Sequence, residues 1–135
     1  MRFVLGVGLA VALAAAGCNS PPPRPAAEAE GAVAYDGEQV ATGIISFVPL
    51  DGGTTTGAAV MKGRYRIYPE AGLTAGKYRV EIRWSKPTGE KIKDAGYGQQ
   101  SEVFAEALPE KYNSQSTLTA EVKAGANTID FRLEK

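Results

Sequence analysis

Gly76-Lys77-Tyr78-Arg79-Val80-Glu81-Ile82-Arg83-Trp84 is the stretch whose reading decides the fold. Tyr78, Val80, Ile82 and Trp84 alternate with Lys77, Arg79, Glu81 and Arg83. A strict period of two is the pattern of a strand with one buried and one solvated face. Gly76 and Pro87 bracket the run. It is the longest clean alternation in the chain and predicts a central strand against which the others set their register.

Working outward, residues 32–35 predict a short first strand, and Asp36-Gly37-Glu38 a turn in which Gly supplies a positive φ. Residues 43–48 predict a second strand with Ile45 and Phe47 on one face. A loop over 49–57 carries Asp51-Gly52-Gly53 at its tip. Residues 58–61 and 64–68 predict a hairpin across Lys62-Gly63, with Val60, Tyr65 and Ile67 inward. A connection over 69–75 leads into the central strand. After it, 116–123 alternates Leu118, Ala120 and Val122 against polar residues. Ala124-Gly125-Ala126-Asn127 reads as a turn, and 128–134 as a last strand with Ile129, Phe131 and Leu133 inward. Seven strands over 31–135, with no helical crossover between them, predict an all-β domain: a largely antiparallel two-sheet sandwich.

Composition narrows the function classes. A chain of 135 residues holds one domain plus appendages. Its 15 basic and 15 acidic side chains balance, so no strong field draws it to nucleic acid. Histidine is absent, and the single cysteine, Cys18, leaves no disulfide framework and no cysteine cluster for zinc.

Residues 1–17 have the form of a targeting segment. Arg2 is a minimal basic region, residues 3–16 are an apolar stretch, and Ala15-Ala16-Gly17 offers small residues for cleavage. The apolar stretch is shorter than the ~20 residues of a standard membrane span. Ala15-Ala16-Gly17-Cys18 resembles the lipobox of bacterial lipoproteins, although Ala15 stands where Leu is most common. That resemblance implies acylation at Cys18, and several acyl chains together hold a small domain firmly at ~0.8 kcal/mol per buried methylene. In that family Asn19 after the cysteine favours the outer membrane over the inner one. The alternative is an ordinary cleaved signal with an incidental cysteine.

Residues 18–30 then form the lipidated cysteine and its tether. Pro21, Pro22, Pro23 and Pro25 favour extended polyproline geometry, which holds the domain off the membrane. A ligand for a proline-binding module is the other reading of the same residues.

Several runs together carry a wider resemblance. They are Gly31-Ala-Val-Ala-Tyr-Asp-Gly, Ile45-Ser-Phe-Val-Pro, Gly63-Arg-Tyr, Gly72-Leu-Thr-Ala-Gly-Lys-Tyr-Arg-Val and Leu108-Pro-Glu-Lys-Tyr-Asn. The chain resembles small planctomycete-type lipoproteins with a carboxypeptidase-regulatory-like, or transthyretin-like, domain. The resemblance implies a seven-stranded prealbumin-like sandwich with Greek-key connections. It implies little about activity, because such folds host many roles. Hydrolases that share the fold rely on histidines and a C-terminal Tyr-Arg-Gly-Ser, and this chain has neither.

No catalytic constellation stands out. Nucleophilic catalysis wants Ser, Cys or Thr beside a base, and histidine, the usual base, is missing. Ser46 and Thr119 read as outward strand residues. Glu102 and Glu106 are a carboxylate pair without a cleft, and Asp51 alone falls short of a calcium site. No metal site and no cofactor is expected, and the chain reads as a non-enzyme.

Residues 85–115 lack a clear strand pattern and predict a long loop, mobile over 86–100 and packed on the body over 107–113. Trp84 and Tyr97, with Lys86 and Lys91 nearby, are the candidate binding surface for a polymer or a partner. The competing reading makes Trp84 a cap on the core and Tyr97 an incidental loop residue. Leu108, Pro109, Tyr112 and Asn113 read as a plug over an open sheet edge. Two functions fit: a lipid-anchored, non-enzymatic envelope module that binds or scaffolds a protein or glycan, or an accessory domain of a separate envelope enzyme or secretion assembly.

Overall fold

The computed structural model describes residues 17–18, 20, 22–93, 96 and 98–135. The expectations for Arg2, the apolar stretch 3–16, Asn19, Pro21 and Tyr97 lie outside the described residues.

The protein is all-β. Its strands are β1 (Ala27–Tyr35), β2 (Glu38–Gln39), β3 (Thr42–Pro49), β4 (Thr56–Met61), β5 (Arg64–Ile67), β6 (Gly76–Lys93), β7 (Gln100–Glu106), β8 (Thr119–Val122), β9 (Gly125–Thr128) and β10 (Phe131–Leu133). They form one hydrogen-bonded path in the order β10-β1-β5-β4-β3-β6-β7. β2 and β9 also pair with β1, and β8 with β6. Pairing is antiparallel except where β9 and β10 run parallel to β1.

β6 takes the central position its alternation predicts. Tyr78, Val80, Ile82 and Trp84 are all buried, while Lys77 and Arg83 face solvent. The strand pairs with β3 from Gly43↔Trp84 to Pro49↔Tyr78 and with β8 from Gly76↔Val122 to Arg79↔Thr119. Burying each large apolar side chain contributes ~1.5–3 kcal/mol, so this one face is a major share of the core.

The sheet curls over that core. β3 and β10 stand four strands apart in the path, about 19 Å in a flat sheet. Yet the rings of Phe47 and Phe131 lie 6.3 Å apart, edge to face. Tyr65 and Tyr78 complete an aromatic cluster around Phe47 at 6.1 and 5.9 Å. The Tyr65 hydroxyl donates to the Ile129 carbonyl at 2.7 Å. Burial, then the carboxylates of Asp130 and Glu30, push the Tyr65 phenol up.

β1 touches more strands than any other element. Its first half pairs with β9 on one side and β5 on the other, and its last residues pair with β10 and β2. Between β9 and β10 the chain bulges over Gly31, where a Cβ would overlap the Ile129 carbonyl. Asp130 Oδ1 accepts the Ala32 N–H at 2.8 Å and stands in for the missing ladder bond. Glycine at 31 is therefore a requirement of close approach.

Four expectations need correction. The first strand starts at Ala27, not at residue 32, so 27–30 belong to the domain and not to the tether. Ala27 and Ala29 are buried and Glu28 and Glu30 are not, the same period of two at low side-chain volume. The turn at 124–127 is β9, held by main-chain pairing to β1 and by Asn127, whose amide donates to the Glu28 carbonyl at 3.0 Å. The last strand breaks at Ile129 and Asp130, and the strand count is ten among the described residues, not seven.

The largest difference lies in the expected loop. β6 continues nine residues past Trp84 and pairs with β7 from Ser85↔Glu106 to Lys93↔Gln100. Residues 85–93 and 100–106 pair as a two-stranded antiparallel arm with a bulge between Pro87 and Lys91. Cross-strand hydrogen bonds need no buried apolar face, so the arm forms without an alternating hydrophobic signal. The plug is as expected: Leu108 and Asn113 are buried, and the Tyr112 hydroxyl bonds the Glu134 main chain at 2.8 and 2.9 Å.

Ile82→Asp is expected to abolish the folded state, because an unpaired carboxylate in an apolar interior costs several kcal/mol against a total margin of ~5–15. Arg83→Gln, one residue along on the wet face, is expected to stay within ~0.5 kcal/mol of the parent. Thermal melts followed by circular dichroism check both; equal losses would mean the wrong face is assigned inward.

Candidate functional site

The two ends of β6 define two poles. At the first, the Ala75 N–H donates to the Pro25 carbonyl at 2.9 Å, and Ala26 bridges to Thr74. Both guanidinium nitrogens of Arg24 reach Asp51, one of them at 2.8 Å. Hydrogen bonding from Arg24 holds the Asp51 carboxyl below the usual carboxylate range. The Asp51-Gly52-Gly53 tip, considered above as a calcium loop, is thus a clasp for the tether. Cys18 is exposed at the far end of that tether, with its thiol free. A groove of about 690 Å³ opens at this pole among Leu50, Lys77 and Lys123.

At the other pole the arm leaves the body, and a second groove of about 640 Å³ lies at its base. Trp84, Lys86, Pro87, Phe104, Glu38 and Thr42 line it. Trp84 closes the core and is only 2 % exposed. The Lys86 ammonium sits 3.9 Å from the centre of its ring. That ammonium also donates to both Glu38 carboxylate oxygens at 2.9 Å. The stack and the ion pair together hold the lysine over the indole. Glu106 locks the arm to the body: its Oε1 accepts the Trp84 N–H at 2.9 Å and the Leu108 N–H at 3.1 Å.

Of the expected site residues, Trp84 and Lys86 are brought together. The expectation of Trp84 as an open aromatic platform is corrected: packing buries it, and its competing role as core cap holds. Lys91 stands out along the arm opposite Glu102, on the order of 20 Å from Trp84. Tyr97 is outside the described residues. Phe104, 56 % exposed and opposite Pro87, supplies the apolar wall instead. Its signal in the sequence is a lone aromatic in a polar stretch. Glu102 and Glu106 do not share a pocket with a second acid: Glu102 faces Lys91, and Glu106 is occupied by two N–H donors. Among the described residues no three His, Cys, Asp or Glu side chains converge as a metal cluster.

The groove therefore offers an apolar wall, a covered indole and one ion pair, the composition of a contact surface. Comparisons of the chain with models of known families, with curated proteins and with solved structures return no match.

Trp84 is the only tryptophan, so its fluorescence reports on this groove. Lys86→Ala is expected to uncover the indole and shift its emission to longer wavelength, while stability falls by ~1 kcal/mol or less. An unchanged emission spectrum would mean that Lys86 does not shield the ring.

Proposed function

We propose that the chain is a lipid-anchored, non-enzymatic module of the cell envelope that presents a binding arm away from its membrane. The observation that carries this reading is the placement of tether and arm at opposite ends of β6. The tether meets the body beside Gly76, and the arm runs to Lys93. With the 88–90 bulge taken up, β6 covers on the order of 50 Å. Residues 18–23, ahead of the Arg24 clasp, would reach at most ~19 Å between the anchor and the body at ~3.1 Å per residue. A partner at the arm then meets the module well clear of the headgroups. The arm-base groove suits a protein or a glycan ring, through Phe104 and Pro87 for apolar contact and Lys86 and Glu38 for polar contact.

We read the body as a prealbumin-like sandwich, with β1, β5 and the β9–β10 segment facing β3, β6 and β8. The Phe47–Phe131 contact between distant strands supports that reading. Acylation at Cys18 and residence in the outer membrane follow from the lipobox-like Ala-Ala-Gly-Cys and from Asn19.

The anchor is tested by detergent-phase partitioning with mass analysis of the N-terminal peptide. Wild-type chain is expected in the detergent phase with acyl mass on Cys18, and Cys18→Ser in the aqueous phase with an unchanged melt. Wild-type protein in the aqueous phase without acyl mass would remove the anchor from this reading.

A further inference from the structure

The two edges of the arm differ. On the side that faces β3 within the body, the arm carries Pro87, which has no N–H to offer, and the 88–90 bulge. Both blunt that edge against strand pairing. The other edge is β7, Gln100-Ser101-Glu102-Val103-Phe104-Ala105-Glu106. It has no proline, and among the described residues it pairs only with β6.

The main-chain directions of β7 follow from the ladder. The Ala107 N–H donates to the Trp84 carbonyl at 2.8 Å, so that pair is hydrogen-bonded. Alternation makes Ser85–Glu106 and Pro87–Phe104 the non-hydrogen-bonded pairs, in agreement with the missing N–H of Pro87. The Val103 carbonyl faces β6 and accepts from the Thr88 hydroxyl at 3.0 Å. Glu102, Phe104 and Glu106, with Gln100, therefore turn their N–H and C=O groups outward.

We infer that this edge pairs with β7 of a second copy, antiparallel, around a two-fold axis at Val103. This names the partner of the arm and rests on the reading of the arm as a binding element. The charges on β7 select the register of that pairing. With the axis at Val103, Glu102 faces Phe104 of the other copy, Gln100 faces Glu106, and Ser101 faces Ala105. No like charges stand opposite, and outward groups meet outward groups. Moving the axis to Phe104 sets Glu102 against Glu106 twice, and moving it to Glu102 sets two glutamates face to face; like charges directly opposite destabilise a pair. A shift by one residue would turn unpaired groups away from each other. The chosen register also sets the two Phe104 rings, each 56 % exposed alone, on one diagonal within reach. It forms about eight main-chain hydrogen bonds. Anchoring both copies in one membrane raises their effective concentration, which a single-edge contact needs. Antiparallel pairing places the two bodies, and the two tethers, at opposite ends of a four-stranded arm, so two copies anchored in one membrane meet with their arms swung down along its surface.

The test is disulfide trapping of the full chain in envelope membranes under mild oxidant. Val103→Cys places two thiols across a non-hydrogen-bonded pair with Cα atoms ~4.5 Å apart, within disulfide range. Ser101→Cys places them ~13 Å apart, beyond it. The expected result is at least about tenfold more covalent dimer from Val103→Cys than from Ser101→Cys or from wild type, which carries only Cys18. Adding Phe104→Pro to Val103→Cys removes one outward N–H and leaves the β6 ladder intact, so the dimer is expected to disappear while the melt of the body is retained. Equal trapping at 101 and 103, or none at either, overturns the pairing. If Val103→Cys is not trapped and a different envelope protein is released by Phe104→Pro, the second copy is excluded and the arm remains a binding element. Loss of membrane association in wild type, by contrast, would strike the anchor and leave the trapping result to be read alone.

Discussion

Burial of one face of β6 is the constraint on which the rest of the structure depends. Tyr78, Val80, Ile82 and Trp84 enter the core in succession, and each fixes the pleat for the next. That sequence sets the register of β3 on one side and β8 on the other. It also sets the direction in which the chain leaves the body. Trp84 is the last inward residue, and the same strand that carries it continues into the arm. The arm is therefore aimed by the core itself. Glu106 reinforces the joint by capping two N–H groups where the arm begins.

The second constraint is the crowding around β1. This strand accepts β5, β2, β9 and β10 along its two edges. Such sharing is possible because its inward residues are Ala27, Ala29, Gly31 and Val33, all small. The chain between β9 and β10 comes so close at Gly31 that no side chain fits. Tyr65 then spans the crossing and bonds the Ile129 carbonyl that the bulge leaves over. Small residues on β1 and large ones on β3 and β6 are complementary halves of one packing solution.

What was legible in the sequence follows from these facts. Strands that bury a large apolar face announce themselves, which is why β3, β4, β5 and the start of β6 lie within one or two residues of the alternation that predicts them. β1 was half read, since alternating alanines carry the period with little hydrophobic weight. β9 was missed because it is held by parallel main-chain bonds and by the Asn127 side chain, neither of which leaves an apolar pattern. The outer half of β6 and all of β7 were missed for the same reason: a two-stranded arm in water buries no face. At the site, Trp84 and Lys86 were legible as neighbours on one strand. Their stacking, and the substitution of Phe104 for Tyr97 as the apolar wall, depended on an antiparallel return that the composition of 100–106 does not display.

On the proposed function, the arm's prior order changes the energetics of recognition. A segment that orders only on binding gives up ~1–2 kcal/mol of backbone entropy per residue at that moment, and its affinity is reduced accordingly. In a hairpin already paired along Ser85–Pro87 and Lys91–Lys93, most of that loss is taken during folding. A partner strand then gains main-chain hydrogen bonds against an edge whose spacing and direction are preset. The same preset edge would attract unrelated strands if nothing opposed them. Glu102 and Glu106 supply that opposition: two fixed charges on a short strand exclude most registers and admit those that place neutral residues across from them. Pro87 closes the other edge to the same traffic. On the proposed function, the arm is open along one edge to strands that set neutral or basic residues opposite Glu102 and Glu106, a condition its own β7 meets.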